Sequence, residues 1–424
     1  MMEMEEEKAF IVAVDLPAKD RWPVEESLAE LARLVVSAGA TVVGKAVQKQ
    51  IKPHPATFLG QGKVQEIAHL CRELKAELLI IGQELSPAQK KNLEEAMQVR
   101  VIDRVQLILD IFAQRARTSE GKIQVELAQL NYLLPRLTGL GTELSRLGGG
   151  IGTRGPGETK LEVDRRRIYR RIAILKRELK EVQRHRTLLR QARQKIPIPL
   201  VALVGYTNAG KSTLLNTLTA AGVLVEDKLF ATLDPTTRQV ILPNNETILL
   251  TDTVGFIHRL PLHLVAAFRA TLEEVVEADL ILHLVDAAAA ANNQAQIAVV
   301  EDILSSLGVQ DKPTILVYNK IDELNQEKSL PGIEDNLFTY KDVPTAAISA
   351  LTGQGIKTLL ELIAQVLAAK RVCITLFIPY HKSSILSLLH QKGQVLKEEY
   401  RADGTMVKVD LEEVWAKRVE AWLK

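Results

Sequence analysis

Residues 200–218 read LVALVGYTNAGKSTLLNTL, and few folds accommodate that order. An apolar run of strand composition ends at Gly205, four residues follow, and Gly210, Lys211 and Ser212 open an apolar-periodic helix. A buried strand must therefore deliver a glycine turn to the amino end of a helix, where unpaired backbone N–H groups converge on an anion. In that geometry Gly205, Asn208, Ala209, Gly210 and Thr213 offer backbone to phosphates. Lys211 neutralises charge on the β and γ groups, and the Ser212 hydroxyl takes Mg2+.

Two later segments decide which nucleotide such a loop holds. TILLTDTVGF is a strand ending at Asp252, and Asp252 to Gly255 gives D-x-x-G. The carboxylate of Asp252 is a water-mediated ligand for Mg2+, and the Gly255 amide meets a γ-phosphate only while that phosphate exists. PTILVYNKID then brings a strand to Asn319, Lys320, Ile321 and Asp322. A carboxylate at Asp322 accepts both the N1–H and the 2-amino group of guanine, neither of which adenine presents. AISALTGQG places Ser349 and Ala350 after another strand, as a brace for the base. The order of the three motifs selects GTP over ATP as substrate.

Between the loop helix and the D-x-x-G strand lies DKLFATLDPTTR, where a threonine is needed for magnesium and the γ-phosphate. Thr232 is the first choice, with Thr236 and Thr237 behind it. Lys211, Thr232 and Gly255 form the expected catalytic set, and Ser212, Thr232 and Asp252 the metal set. Many regulatory GTPases follow D-x-x-G with a glutamine that orients the attacking water. Here that residue is Phe256, whose ring cannot do so, and hydrolysis is expected to be slow until a partner orders the switch segments.

The first hundred residues alternate strand-like runs (AFIVAVDL, ATVVGKAV, AELLIIG, VRVIDR) with helical ones, which implies a parallel sheet covered by helices. FLGQGKVQE, with Gly60, Gly62 and Lys63, lacks a complete phosphate-loop pattern and reads as a turn into a helix. Next, Ile123, Leu127, Leu130, Leu134 and Leu137 share one heptad seam, and Ile168, Ile172, Leu175, Leu179 and Val182 another. Two such seams predict a pair of antiparallel helices, the first ended or kinked at Pro135 and the second spanning 159–195.

The connection between them, GGGIGTRGPGETK, contains a literal G-x-G-x-x-G at Gly150, Gly152 and Gly155. No strand precedes it, and Leu161 follows Lys160 where a phosphate loop needs Ser or Thr, so a dinucleotide site is not supported. Charge suggests another phosphate. Residues 160–195 carry fourteen Lys and Arg against four Asp and Glu, a net of +10, while the whole chain is +2 and the remainder therefore −8. So concentrated an excess, on faces the seam does not need, favours a nucleic-acid partner.

Two widely separated cysteines, Cys71 and Cys373, exclude a disulfide framework and fit a reducing compartment. The acidic start MMEMEEEKAF is unlike an export signal, and the most apolar run, ADLILHLVDAAAAA, falls short of a membrane span. Pro197 and Pro199 mark a boundary before the nucleotide domain. Past residue 370, VCITLFIPY, KSSILSLLHQKG and RADGTMVKVDL predict a strand, a helix and a hairpin.

FLGQGKVQEI, QVELAQLNYLLPRL, GGGIGTRGPGETKLEVDRRRI and LFATLDPTTR, taken with the nucleotide motifs, resemble the HflX family of translation-factor-related GTPases over essentially the whole chain. The resemblance implies a cytoplasmic GTPase, with some membrane association, that binds the large ribosomal subunit and splits stalled or idle ribosomes, notably under stress. It implies that the hairpin and glycine loop lie near the peptidyl-transferase region. Arg146, Arg154 and Lys160, followed by Arg165, Arg166 and Arg167, would then meet rRNA phosphates. It also supports Thr232 as the switch threonine and Phe256 as a hydrophobic replacement of glutamine.

The expected fold class is α/β: a P-loop GTPase domain (197–370), preceded by an N-terminal α/β domain (1–110) with a long antiparallel helical hairpin (111–196), and followed by a small α+β domain (371–424). A monomer is expected. Two other readings compete, a GTP-controlled module regulating a protein partner and an ATP-dependent RNA remodeller acting through the N-terminal domain. The basic hairpin weighs against the first, and the guanine motif against the second.

Overall fold

The computed structural model describes residues 6–17, 22–137, 156–193, 198–219, 229–230, 232–258, 269–324, 337–340, 343–368, 371–412, 416, 419 and 422–423. By contacts the chain divides into two units. One comprises Met1–Glu181, Val225–Asp234 and Ile257–Thr271, and the other Val182–Leu224, Pro235–Phe256 and Leu272–Lys424.

In the first unit, β1 (Lys8–Asp15), β2 (Thr41–Lys49), β3 (Leu78–Ile81) and β4 (Arg100–Asp103) form a parallel sheet in the order β2-β1-β3-β4. Between them run α1 (Val24–Ser37), α2 (Gln61–Glu73) and α3 (Pro87–Met97). Strand β1 is buried from Ala9 to Val14, which is why it reads as a continuous apolar run without alternation. Its Phe10, Val12 and Val14 share a core with Ile67, Leu79, Ile81 and Leu93. Gly60 caps α2, its N–H donating to Gln48 Oε1 at 3.1 Å, and Lys63 in the first turn pairs with Glu66 at 2.7 Å. That segment is a turn into a helix. In a doubly wound sheet a ligand enters where the strand order reverses, here between the carboxyl ends of β1 and β3. The Gln83 amide fills that gap, accepting from Val14 N–H at 3.3 Å and donating to Val14 C=O at 2.8 Å.

The helical hairpin follows α4 (Arg104–Arg115) and consists of α5 (Ser119–Leu137) and α6 (Pro156–Arg193). Leu127 packs with Ile172 and Leu175, flanked by Ile123, Leu130, Leu134, Ile168 and Leu179, so the heptad seams do meet. Arg171 makes a two-pronged pair with Glu126 at 2.6 and 2.7 Å. Leu137 and Val182 are absent from that cluster. The sequence places the helix boundaries less well. Pro135 stands inside α5, which continues two residues to Leu137. Helix α6 starts at Pro156 and not near Thr159, because proline suits the first helical position, where its missing N–H has no partner to lose. Its 38 residues span about 57 Å at 1.5 Å each. Lys160 therefore lies on this helix and not in the glycine connection.

In the second unit a seven-stranded sheet has the order β10-β11-β9-β8-β5-β7-β6. Its members are β5 (Leu200–Gly205), β6 (Thr236–Ile241), β7 (Thr247–Asp252), β8 (Leu280–Asp286), β9 (Thr314–Asn319), β10 (Leu337–Tyr340) and β11 (Val343–Ala347). Only the edge strands β6 and β10 pair antiparallel. The helices are α7 (Lys211–Thr219), α8 (Arg269–Glu277, of which residues from Leu272 on belong to this unit), α9 (Asn293–Ser306) and α10 (Ile356–Ala368). Central β5 carries Val201 and Leu203, which pack with Leu214, Leu250, Leu282, Val317 and Ile363. A further antiparallel sheet, β12 (Arg371–Pro379), β14 (Gly404–Glu412) and β13 (Gly393–Arg401), surrounds its own core with α11 (Ser383–Lys392). The fold is thus α/β with a P-loop GTPase sheet, an N-terminal α/β portion and a C-terminal α+β portion. No described helix is long and apolar enough to cross a membrane.

Candidate functional site

Strand β5 ends at Gly205 between β7 and β8, where the chain turns to opposite sides of the sheet, and the loop 206–210 leads into α7. This is the reversal point at which an α/β sheet opens a crevice. Asn208 and Gly210 both take left-handed backbone, with φ of 63° and 88°. Such a turn aims successive amides inward.

The D-x-x-G segment is fastened to this loop by backbone. Phe256 N–H donates to Gly205 C=O at 3.1 Å and Thr207 N–H donates to Phe256 C=O at 2.7 Å. Thr253 Oγ1 adds a bond to Leu203 C=O at 2.6 Å. Gly255 consequently lies so close that a Cβ there would be 2.9 Å from Thr207 Cγ2 and 3.1 Å from Lys211 Nζ. The Phe256 ring is 1% exposed, so it fills core while its backbone does the joining.

Lys211 is buried and donates to the carbonyls of Gly205 at 3.1 Å and Tyr206 at 2.8 Å. Burial pushes its pKa down to about 8, against the opposing pull of Asp252, which leaves it charged at neutral pH. Its carbonyl partners are exchangeable for a stronger anionic one. His283 on β8 is held neutral, its pKa pushed to about 4 by burial and by Lys211, so it is no cation for a phosphate. Ser212 Oγ donates to Asp252 Oδ2 at 2.7 Å. One hydroxyl and one carboxylate on adjoining elements are hard oxygen donors suited to a small divalent cation that keeps most of its waters and phosphate ligands. Among the described residues no group of three or more His, Cys, Asp or Glu could hold a metal, so a soft-metal cage is not in competition there.

On the other flank, Asn319 is buried at the end of β9. Its Nδ2 donates to Ala209 C=O at 2.9 Å and its Oδ1 accepts from Ala350 N–H at 2.9 Å. One side chain thus ties the phosphate loop to the Ser349–Ala350 turn. Ser349 is buried and its Oγ accepts from Thr352 N–H at 3.1 Å, while Thr217 Oγ1 donates to Ala350 C=O at 2.6 Å. Lys320 takes left-handed backbone, φ 65°, and its Nζ reaches Asp286 Oδ2 at 2.8 Å. Asp322, two residues on, is exposed, so its carboxylate is open to an incoming base.

Gly205, Ala209, Gly210, Lys211, Ser212, Asp252, Asn319 and Ala350 are therefore drawn into one bonded neighbourhood, with Asn208 inside its loop, Gly255 in close approach to Thr207 and Lys211, and Thr213 in the first turn of α7. Thr232 is half-buried and belongs to the first unit, as the other candidate metal ligands do not. Arg165, Arg166 and Arg167 are exposed on α6; Arg146 and Arg154 lie outside the described residues, as does the Lys160 side chain. Sequence reasoning missed Asp286, which holds Lys320 and also caps Ala288 N–H at 3.0 Å. Its only signal was its place at the end of a strand, ahead of an alanine run.

Gly210→Ala tests how tightly this neighbourhood is built. A Cβ there would sit 2.1 Å from Asn319 Nδ2 at a φ of 88°. Equilibrium urea unfolding is expected to show a loss of about 1–3 kcal/mol. Gly62→Ala, inside α2 with nothing within 4 Å of its Cβ, is expected to be neutral or stabilising. Equal losses at the two positions would refute the close-packed loop.

Comparison with known proteins matches four family models along the chain. They are described as GTP-binding GTPase N-terminal (25–113), GTP-binding GTPase middle region (115–193), 50S ribosome-binding GTPase (200–320) and HflX C-terminal domain (339–423). The GTPase HflX of Lacrimispora saccharolytica is 49% identical over 407 residues, 96% of this chain and 94% of that one. That of Escherichia coli is 45% identical over 383 residues, 90% and 88% of the two. A crystal structure of a GTP-binding protein from Sulfolobus solfataricus in complex with GDP is 26% identical, covers 86% of this chain and 99% of that one, and has a TM-score of 0.46. With such identity carried over nearly its full length, and a P-loop sheet in which the nucleotide motifs converge, this chain is a GTPase and belongs to the HflX family.

Proposed function

We propose that this GTPase binds the large ribosomal subunit and splits or rescues stalled and idle ribosomes, with the basic helix α6 and the glycine connection before it contacting rRNA. The observation that carries the reading is the net +10 of residues 160–195, together with Arg165, Arg166 and Arg167 exposed on a helix whose packing seam needs none of them. In this reading Lys211 and the backbone of 205–213 hold the phosphates, and Asp322 reads guanine against the Asn319, Lys320, Ser349 and Ala350 wall. Ser212, Asp252 and Thr232 would hold Mg2+, which would supply charge neutralisation to the phosphates. Thr232 and Gly255 sense the γ-phosphate. Phe256 supplies no water-orienting group, so the ribosome is the partner that orders the switch segments. The protein acts in the cytoplasm as a monomer, with a minor share at the membrane, and the four-part division 1–110, 111–196, 197–370 and 371–424 describes its working domains.

GTP hydrolysis measured with and without isolated large subunits, at two salt concentrations, while light scattering follows intact ribosomes, tests this. Strong stimulation with salt-sensitive splitting is expected. Replacing Arg165, Arg166 and Arg167 together by alanine should lower the salt slope of binding by about 2–3. No stimulation and no separation would transfer the role to a GTP-controlled module acting on a protein partner.

A further inference from the structure

Two segments downstream of the nucleotide loop have described residues, 229–230 with 232–234 and 257–258, that belong to the first unit. Residues 225–234 lie between α7 and β6, and residues 257–271 follow D-x-x-G. Phe230 meets Phe112 of α4 edge-on with ring centroids 4.7 Å apart, and Leu229 N–H donates to Ser37 Oγ at 2.9 Å. In the second segment, His258 stacks on Trp22 at 4.6 Å and its carbonyl accepts from the buried Arg104 guanidinium at 2.9 Å, which also pairs with Glu30.

The most specific of these contacts is made by Asp234. Its Oδ2 accepts from the N–H groups of Arg117 and Thr118, both at 2.8 Å, and its Oδ1 from Thr118 Oγ1 at 2.5 Å. Thr118 in turn accepts from Gly121 N–H at 3.0 Å, so it is the N-cap of the hairpin helix α5. A carboxylate placed there answers both the unpaired amides and the positive end of the helix. The approach requires Gly121, because a Cβ at that position would sit 2.5 Å from Asp234 Oδ1. Asp234 also stands two residues from Thr232 and two from Thr236, whose register partner across β6 and β7 is Asp252. Two residues span at most about 7 Å, so little slack separates the carboxylate from either neighbour.

We propose that Asp234 is a positioning residue that ties the Thr232 segment to the first turn of the hairpin helix, so that gain or loss of the γ-phosphate is transmitted to the hairpin. The inference rests on the role given to Thr232 above. A nucleotide-dependent displacement at Thr232 reaches Asp234 through two residues, and from Asp234 the movement passes to the cap of α5.

The test is hydrogen exchange of the full-length protein, without ribosomes, in GDP and in a non-hydrolysable GTP analogue. Wild-type amides in the first turn of α5 should differ between the two states by roughly tenfold, an ordinary coupling. Asp234→Ala should abolish the difference while analogue affinity stays within about threefold. Asp234→Asn, which keeps an acceptor for the same amides, should retain most of it and shows that the chain tolerates replacement. Gly121→Ala should reproduce Asp234→Ala from the opposite side of the contact, and the double variant should add nothing further. A nucleotide response in α5 that survives Asp234→Ala, a wild type with no response, or additive effects of the two substitutions would each overturn the proposal. Failure of the Thr232 role is distinguishable, since it would appear as undiminished hydrolysis in Thr232→Ala.

Discussion

Asp322→Asn is expected to abolish GTP binding and admit xanthine nucleotides in its place. The carboxylate accepts two N–H donors from guanine; an asparagine presents one acceptor and one donor, and guanine's donors then face a donor. Xanthine carries a carbonyl at position 2, which that new donor satisfies. Sites that discriminate by hydrogen-bonding a polar group reach factors of about 10⁴, because a mismatch leaves a desolvated group unpaired. Exposure of Asp322, set beside the rigid Asn319 staple and the left-handed Lys320, lets the change act on the base and not on the fold. Competition binding with guanine and xanthine diphosphates measures it; unaltered GTP affinity would remove Asp322 from the base contact.

Lys211→Ala should lower hydrolysis by roughly 10²–10³ without a matching loss of stability. The activity loss follows from deleting the cation nearest Gly205, Tyr206 and Gly255. Stability goes the other way for a physical reason. A buried lysine whose pKa falls from 10.5 to about 8 is one whose charged form the folded state disfavours, by on the order of 3 kcal/mol. That penalty is fully present below pH 8 and vanishes with the ammonium. Two carbonyls lose their donor in exchange, so the net change in urea unfolding should be close to zero or stabilising. A variant that unfolds readily and hydrolyses at the wild-type rate would contradict both statements.

Local chemistry made much of this protein legible from its residues. The phosphate loop needs a strand, a left-handed turn and a helix in immediate succession, and neighbouring residues specify all three. The heptad seams at Leu127 and at Ile172 and Leu175 were legible because periodicity itself carries burial. The same holds for β1, whose unbroken apolar run means a strand covered on both faces. Boundaries were less so, as α6 starting at Pro156 shows, since helix ends depend on which caps win locally.

What only the tertiary structure decided are contacts between residues far apart in sequence. Asn319 was legible as a motif letter, but its bridge from Ala209 to Ala350 spans segments 110 and 31 residues away. Lys320 finds Asp286, and Asp234 finds Thr118 across 116 residues with Gly121 making room. No periodicity announces such partners, because a carboxylate's worth depends on which amides the fold sets before it. Sequence by itself determined the chemistry available to this GTPase and the elements that carry it, through short-range backbone and patterning constraints. The tertiary fold decided which of those groups touch.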